Sequence, residues 1–220
     1  AQAITGTEVD RDHIAQILTL ENGKIRHESW VDALVFDIRW KLALSYAEHV
    51  ETESVLDPVE QMPVRTRVTY QPLGVVTIIV PFNWPLAILA ASLPLALLAG
   101  NTVIVKPPRT APLATTIFLS TIAKKLPPGV LNVITGDDET VKPLLTDVNK
   151  VCFTGGVAAG RSIAATAASA LVRTTLELGG NDPALILEDA VLDDENLDRI
   201  FHAVMDSTGQ ICMNIKRIYV

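Results

Sequence analysis

The chain has 220 residues, of which 49% are hydrophobic and 20% charged, and its formal net charge is −7. This length allows one large domain or two small ones, each with a buried core. An acidic chain lacks the positive field that attracts phosphate backbones, so we expect no nucleic acid partner. Two cysteines far apart in sequence predict no disulfide framework but reduced thiols in the cytoplasm. The first residues show neither the basic nor the apolar region of a signal peptide.

One long uncharged stretch raises the question of a membrane span. Between Arg67 and Lys106 no residue is charged, and a stretch of this length would suit a spanning helix. Helix-breaking residues divide it into short pieces: Pro81, Asn83, Pro85, Pro94, Gly100 and Asn101. We therefore predict buried strands and a buried helix, and no membrane partner.

Residues 1–60 predict an N-terminal helical segment. Large apolar residues recur there at every fourth position, at Trp30, Leu34, Ile38, Leu42 and Tyr46, with Val31 and Val35 beside them. This pattern predicts an amphipathic helix with one apolar stripe. The proline-rich "VLDPVEQMP" predicts a connector. "VRTRVTY" alternates and predicts a strand whose one face carries Val64, Thr66, Val68 and Tyr70.

Residues 61–190 predict an α/β domain. The short apolar runs "GVVTIIV", "TVIVK", "VLNVITG", "KVCFTGG", "RTTLELGG" and "PALILED" alternate with helical stretches, among them a helix that stops at Gly100 and one opened by Pro112. Strands that are apolar throughout indicate a parallel sheet covered on both faces. We predict a doubly wound, Rossmann-like sheet that binds ligands beyond the carboxyl ends of its strands. Residues 191–220, beginning with the helix "DENLDRIFHAVMDSTG", predict the start of a further domain.

Several residues at or near the ends of these strands and helices could take part in binding or catalysis. They are Asn83, Lys106, the glycines 155, 156 and 160 at a helix start, Glu177 and Cys212. Each has an ordinary alternative when taken alone: a turn asparagine, a lysine reaching solvent, a solvated carboxylate, a small core thiol. The glycines could admit a phosphate at a helix N-terminus, but their spacing is not the G-x-G-x-x-G fingerprint.

In combination and in this order, these stretches resemble the NAD(P)-dependent aldehyde dehydrogenase superfamily. The resemblance rests on "PFNWP", "VIVKPP", "FTGGVAAG", "LELGGNDP" and "GQICMNIKR", and the weaker "LTLENGK" extends it towards the N-terminus. It implies an aldehyde dehydrogenase-like α/β fold, incomplete in 220 residues, with a small-molecule aldehyde as substrate and NAD or NADP as cofactor.

The resemblance assigns catalytic roles to three residues. Cys212 is implied as the nucleophile, whose attack on the aldehyde gives a thiohemiacetal. The amide of Asn83 and the backbone N–H of Cys212 would stabilise its oxyanion. After hydride transfer leaves a thioester, Glu177 would activate water to release the acid. A glutamate at this place favours hydrolysis over acyl transfer to coenzyme A.

The resemblance also implies a set of cofactor contacts. Lys106 would hold the adenosine ribose hydroxyls, and Gly155, Gly156 and Gly160 would lie under the pyrophosphate. Further implied contacts are Pro81, Phe82, Trp84, Leu178 and Gly179. Arg109 stands where relatives often have a glutamate that binds the ribose 2′-hydroxyl, and a cation there would attract the 2′-phosphate of NADP. Arg217 matches a recurrent arginine with a structural role.

Other departures from the family pattern concern the substrate pocket and the remaining reactive residues. Gly156 replaces a serine, and Met205 and Ser207 precede the nucleophile where phenylalanine and asparagine are usual, so aliphatic and aromatic aldehydes both stay open. Cys152 is interpreted as a small buried hydrophobe. No histidine falls at a matching position, so a cysteine–histidine hydrolase is poorly supported, and metal-ligand spacing is absent.

The family's members are usually much longer than this chain. We therefore expect an N-terminal fragment, a truncated product or a partial chain that is itself inactive, from a full-length homodimer or homotetramer. The alternative function is a non-catalytic remnant that binds nucleotide or acts as a scaffold.

Overall fold

The computed structural model describes residues 10–51, 54–56, 64 and 66–220. Its first elements are the helices α1 (Arg11–Asn22), α2 (Arg26–Ser45) and α3 (Ala47–Glu51). The side chain of Asp10 caps α1 by accepting a hydrogen bond from the backbone N–H of His13. Gly23 ends this helix in the left-handed conformation, with φ 77°. The predicted N-terminal helical segment is therefore present in the described part of residues 1–60.

The buried face of α2 is not the predicted stripe. Ile38, Leu42 and Tyr46 are 54%, 55% and 48% exposed. The residues buried instead are Ser29, Asp32, Ala33, Phe36, Trp40 and Ala43. A four-residue spacing advances about 40° per step around a helix of 3.6 residues per turn, so the stripe winds away from the core. The prediction of that stripe as the packed face was wrong for this reason.

Two short strands follow the helices. β1 (Ser54–Leu56) pairs antiparallel with β2 (Thr66–Val68), and all three residues of β2 are exposed. The connector predicted over residues 55–63 was therefore wrong for its first two residues, while residues 57–63 lie outside the described residues. The strand predicted over residues 64–70 is shorter than expected and buries neither face. Within the described chain it pairs only with β1, so no larger sheet covers it.

The central element is a five-stranded parallel sheet. Its strands are β3 (Val75–Ile79), β4 (Thr102–Lys106), β5 (Leu131–Val133), β6 (Lys150–Gly155) and β7 (Arg173–Leu178), in the order β5-β4-β3-β6-β7. The chain first winds outward from β3 and then returns to its other side at β6. The carboxyl ends of β3 and β6 thus form the topological switch point, where doubly wound sheets bind ligands. The predicted doubly wound α/β fold is confirmed.

Helices connect these strands and cover the sheet. They are α4 (Pro85–Leu98), α5 (Leu113–Ala123), α6 (Asp138–Val141), α7 (Pro143–Thr146) and α8 (Val157–Ser169). Proline stands in the first turn of α4, where a missing N–H costs nothing. Gly100, with φ 82°, follows the end of α4, and Pro112 precedes α5, as the sequence predicts. The two four-residue helices α6 and α7 were not predicted.

The main core lies between the N-terminal helices and one face of the sheet. Leu86, Leu89 and Leu93 of α4 are fully buried there. The ring of Phe36 lies 5.6 Å from that of Trp40 and 4.6 Å, edge to face, from that of Phe118 in α5. The N-terminal segment is therefore packed into the same core as the sheet.

The last strands form a separate two-stranded sheet. β8 (Asp182–Leu185) pairs in parallel with β9 (Ile215–Tyr219), and α9 (Asp194–Met205) lies between them in sequence. β8 was predicted as part of the α/β domain over residues 61–190, but it pairs outside the five-stranded sheet. The domain boundary at residue 190 therefore stays a prediction. The helix predicted through Gly209 ends at Met205, and a 3₁₀ turn follows at Asp206–Gly209.

Among the described residues, no helix has both the length and the apolar character that a membrane span requires.

Candidate active site

The carboxyl ends of β3, β4 and β6 border a cleft of about 590 Å³, here called the wide cleft. Six of the predicted cofactor residues line it: Pro81, Phe82, Lys106, Arg109, Gly155 and Gly156. It lies at the switch point of the sheet, beside the start of α8. The N-terminus of that helix, which follows two glycines, provides the environment that a phosphate group requires.

The three glycines at the start of α8 differ in the space around them, so glycine is required there for different physical reasons or not at all. A Cβ on Gly155 would lie 2.6 Å from Cζ of Phe153, and one on Gly160 would lie 2.5 Å from Cδ2 of Leu178. Gly156 has open space around it. Gly160 is buried and is not among the described residues that line the wide cleft, so its glycine permits α8 to pack on β7.

A second cleft of about 300 Å³, here called the cysteine cleft, contains the three predicted catalytic residues. Asn83 follows β3, Glu177 lies near the end of β7, and Cys212 lies between α9 and β9, yet all three line this one cleft. Leu178 and Gly179, predicted as cofactor contacts, line it as well. Five residues line both clefts, and the clefts therefore adjoin: Pro81, Phe82, Thr154, Gly155 and Gly156.

Asn83 connects the β3 loop to the loop that carries Cys212. Its Nδ2 donates to the carbonyl oxygen of Gln210 at 2.6 Å, and its Oδ1 accepts from the backbone N–H of Trp84 at 3.0 Å. Cys212 and Glu177 are both exposed, so the thiol and the carboxylate are accessible to solvent. The arrangement places an amide donor, a thiol and a carboxylate around one opening.

Two residues that sequence reasoning missed hold the turn around Cys212. Lys216 Nζ donates to the carbonyl oxygens of Ile211 at 2.7 Å and Asn214 at 2.9 Å. Asn214 is buried, and its Nδ2 donates to the carbonyl oxygens of Val204 at 3.1 Å and Asp206 at 2.8 Å. Their only sequence signal is their place just after the cysteine, which says nothing about their partners.

Gly180 is a third residue that the sequence analysis did not single out. A Cβ on Gly180 would lie 2.5 Å from Asp182 Oδ2 and 2.9 Å from the carbonyl oxygen of Cys212, whereas the neighbouring Gly179 has open space. Only glycine lets the loop after β7 approach the nucleophile's backbone this closely. Arg217 connects the same two segments, since it donates to the carbonyl oxygen of Asn181 at 2.7 Å, which agrees with a structural role.

Trp84 lies away from the wide cleft, although it was predicted as a cofactor contact. Its ring centroid lies 4.0 Å from Lys24 Nζ, which pairs with Asp32 Oδ2 at 3.2 Å. Trp84 lines a third cleft of about 520 Å³ between α2 and α9, together with His27, Phe201, Met205 and others. The position of Trp84 next to Asn83 in the sequence does not indicate which side of the loop its ring faces.

The Lys24–Asp32 pair is buried, with side chains 1% and 0% exposed. Burial lowers the pKa of Lys24 and raises the pKa of Asp32, and their mutual attraction opposes both shifts. Asp32 Oδ1 also accepts from the backbone N–H of Ala87 at 2.6 Å, at the start of α4. The pair therefore joins α2 to the helix that directly follows Asn83.

A second cysteine or a group of metal ligands could form a further reactive centre in the described part of the chain. Cys152 is half-buried in β6, and burial raises the pKa of its thiol, which disfavours the reactive thiolate. Within residues 10–51 and 66–220, no group of three histidine, cysteine or acidic side chains could hold a metal ion.

Comparisons with known proteins agree with this geometry. Residues 2–220 match the family model described as "Aldehyde dehydrogenase family". Aldehyde dehydrogenase [NAD(P)+] 2 of Saccharomyces cerevisiae is 36% identical over 219 residues, which are 97% of this chain and 43% of that protein. The chain thus spans less than half the length of this relative.

Solved structures are similar over nearly the whole chain. An aldehyde dehydrogenase from Brucella melitensis biovar abortus superposes with a TM-score of 0.88 and 34% identity, over 96% of this chain and 44% of the other. Succinic semialdehyde dehydrogenase from Streptococcus pyogenes, solved in complex with NADP+, also gives 0.88, with 25% identity over 99% of this chain and 48% of the other. With the matched family model and the doubly wound sheet, these similarities establish that the chain belongs to the aldehyde dehydrogenase family.

Proposed function

We propose that the full-length protein, to which this chain contributes both clefts, oxidises an aldehyde to a carboxylic acid with NAD or NADP. The observation that carries the proposal is the cysteine cleft, in which Asn83, Glu177 and Cys212 meet from three distant parts of the sequence. The adjoining wide cleft supports a cofactor site next to the thiol.

In the first step, the thiolate of Cys212 adds to the carbonyl carbon and the carbonyl oxygen becomes an oxyanion. A side-chain amide has two N–H donors. One N–H of Asn83 donates to the carbonyl oxygen of Gln210, which leaves the second for the oxyanion. The bond to Gln210 also fixes the direction of the amide before substrate arrives.

The wide cleft fits a nicotinamide dinucleotide, because it combines a glycine-bordered helix start with three cationic side chains, Lys106, Arg109 and Lys142. The one acidic side chain among its described lining residues, Glu139, pairs with Lys142 at 3.4 Å. A cofactor held there would supply the hydride acceptor, and loss of hydride from the tetrahedral adduct would leave a thioester on Cys212. Water then attacks the thioester, and Glu177, exposed at the end of β7, takes its proton. The acid leaves and Cys212 returns as a thiolate.

The test compares the two cysteines in the full-length protein. We expect Cys212→Ala to abolish acid production while cofactor binding, measured by fluorescence titration, is retained. Cys152→Ala is the matched control and keeps its activity. Aldehyde oxidation at the wild-type rate by Cys212→Ala would contradict the proposal.

Cofactor choice follows from the cations in the wide cleft. Arg109 and Lys142 line it together with Lys106, and we propose that the 2′-phosphate of NADP is accepted at least as well as in relatives with glutamate at position 109. Arg109→Glu should lower kcat/KM for NADP relative to NAD by tenfold or more. Arg161→Glu, on α8 but outside this lining, is the control. A strong preference of the wild-type protein for NAD would contradict this proposal about cofactor choice.

A homodimer or homotetramer in the cytoplasm remains our prediction for the full-length protein, and size-exclusion chromatography with light scattering tests the assembly.

A further inference from the structure

Two carboxylates one turn apart on α2 reach the two sides of the cysteine cleft, one at the start of α4 and one in the loop before Cys212. Asp32 Oδ1 accepts the backbone N–H of Ala87 at 2.6 Å, just after Asn83 in sequence. Glu28 Oε1 accepts the backbone N–H of Ser207 at 2.7 Å, just before Cys212 in sequence. Because residues four apart share one face of a helix, a single face of α2 contacts both the start of α4 and the cysteine loop.

The two sides also contact each other directly. Asn83 Nδ2 donates to the carbonyl oxygen of Gln210, as described above. α2 is therefore bonded to the start of α4, the chain leads from there back to Asn83, Asn83 is bonded to the cysteine loop, and that loop is bonded to α2. In such a closed set of contacts the position of the cysteine loop relative to Asn83 depends on α2.

The cysteine loop has a backbone that needs external support. Ser207 and Thr208 have φ of 53° and 55°, and Gly209 has φ of 77°. Left-handed conformation costs about 1–2 kcal/mol for each residue other than glycine, and it persists only where surrounding contacts enforce it. Ser207 is fully buried, and its N–H donates to the carboxylate of Glu28. This contact spans 179 positions of sequence.

We propose that Glu28 is a positioning residue for Cys212, and that α2, through Glu28 and Asp32, sets the place of the nucleophile relative to Asn83. The inference rests on the proposed function. It gives the N-terminal helical segment a part in the reaction, although neither carboxylate lines the cysteine cleft.

A positioning role and a merely structural one differ in their kinetic consequences. Glu28 does not line the wide cleft in the described chain, so its loss should leave the KM for the cofactor unchanged. Displacement of the nucleophile by about 1 Å can reduce turnover on the order of a hundredfold. A general loss of stability would instead lower the melting temperature without a selective effect on kcat.

The experiment uses Glu28→Ala and Glu28→Gln in the full-length protein. Glu28→Ala should lower kcat by about tenfold to a hundredfold at an unchanged cofactor KM. Glu28→Gln, whose amide oxygen can still accept from Ser207, should retain most of the wild-type kcat. If Glu28→Ala does not fold, Glu28→Asp replaces it, because the shorter side chain withdraws the carboxylate by one methylene.

Glu21→Ala is the matched control. Glu21 also belongs to the N-terminal segment and accepts two backbone N–H groups, those of Leu113 at 2.6 Å and Ala114 at 2.9 Å. These groups begin α5 and lie outside the cysteine cleft. The variant should lower the melting temperature while kcat stays within about twofold of wild type, since no contact to the cysteine loop is lost.

Hydrogen exchange separates failure of this inference from failure of the proposed function. In Glu28→Ala, the peptide covering residues 206–214 should exchange at least tenfold faster than in wild type, and in Glu28→Gln it should stay protected. If the wild-type protein oxidises no aldehyde, the proposed function fails, while the exchange data still report whether Glu28 holds the loop. Wild-type kcat and wild-type exchange in Glu28→Ala would overturn the inference, as would equal losses in the alanine and glutamine variants.

Discussion

The helices α4 and α9 both adjoin predicted catalytic residues, but they are held in different ways. α4 follows Asn83, and seven of its fourteen residues are buried. α9 precedes the turn to Cys212, and none of its twelve residues, all of them described, is buried. Leu197 and Phe201 of α9 are 48% and 57% exposed.

The difference shows that the two sides of the cysteine cleft depend on different forces. The asparagine side is held by apolar packing of an almost wholly hydrophobic helix, together with the buried Lys24–Asp32 pair. The cysteine side is held by hydrogen bonds in which Glu28 accepts from a backbone N–H, and Asn214 and Lys216 donate to backbone carbonyl oxygens. Packing tolerates local changes of polarity poorly, whereas a loop held by hydrogen bonds depends on individual donors and acceptors.

The largest effect is expected from truncating a leucine in each helix. Leu93→Ala in α4 removes a side chain that is 0% exposed and should lower the free energy of unfolding by about 2–5 kcal/mol. Leu197→Ala in α9, at 48% exposure, should change it by less than about 1 kcal/mol. Urea denaturation followed by circular dichroism measures both. Similar losses in the two variants would show that α9 is as well packed as α4.

A smaller effect is expected where two backbones meet on the cysteine side. Gly180→Ala places a methyl group 2.5 Å from Asp182 Oδ2 and 2.9 Å from the carbonyl oxygen of Cys212, so the Asp182 side chain and the nucleophile's turn must shift, at a cost of about 1–3 kcal/mol. Gly179→Ala enters open space and is the matched control. Thermal unfolding is the measurement. Equal losses of stability in the two variants would show that the backbone contact at Gly180 does not hold the cysteine side.

The smallest effect concerns the pH dependence of α9. The hydrogen bond that His202 Nδ1 donates to Asp206 Oδ1 at 3.1 Å, and the nearby charge of Asp198, raise the pKa of this histidine. Since the folded pKa lies above the unfolded value of about 6.5, this contribution to stability is complete below that value. It is lost as the pH rises through the folded pKa.

NMR titration of the His202 ring measures this shift directly. Asp206→Asn should lower the pKa of His202 towards its ordinary value, because the variant removes the first and largest cause of the shift. A wild-type pKa at or below about 6.5 would contradict the described contact.

Local pattern accounts for most of what the sequence predicted correctly. Apolar runs mark β3, β4 and β6 because a strand buried on both faces has no polar side, and Gly100 and Pro112 mark helix ends through their backbone restrictions. The same local reasoning failed for α2, since the packed face depends on what covers it. It also missed β9, whose parallel partner β8 lies across a whole helix.

For the candidate site, sequence by itself determined which residue types are present and that they follow strands or turns of one α/β fold. Residue spacing and the family motifs are local information, and they were sufficient to predict Asn83, Glu177 and Cys212 as catalytic residues. Only the tertiary structure decided that Trp84 faces α2 and that Gly180, rather than Gly179, lies against the nucleophile. Only it revealed that Glu28 reaches Ser207. Contacts between residues so far apart arise from the packing of helices on the sheet, which no spacing along the chain records.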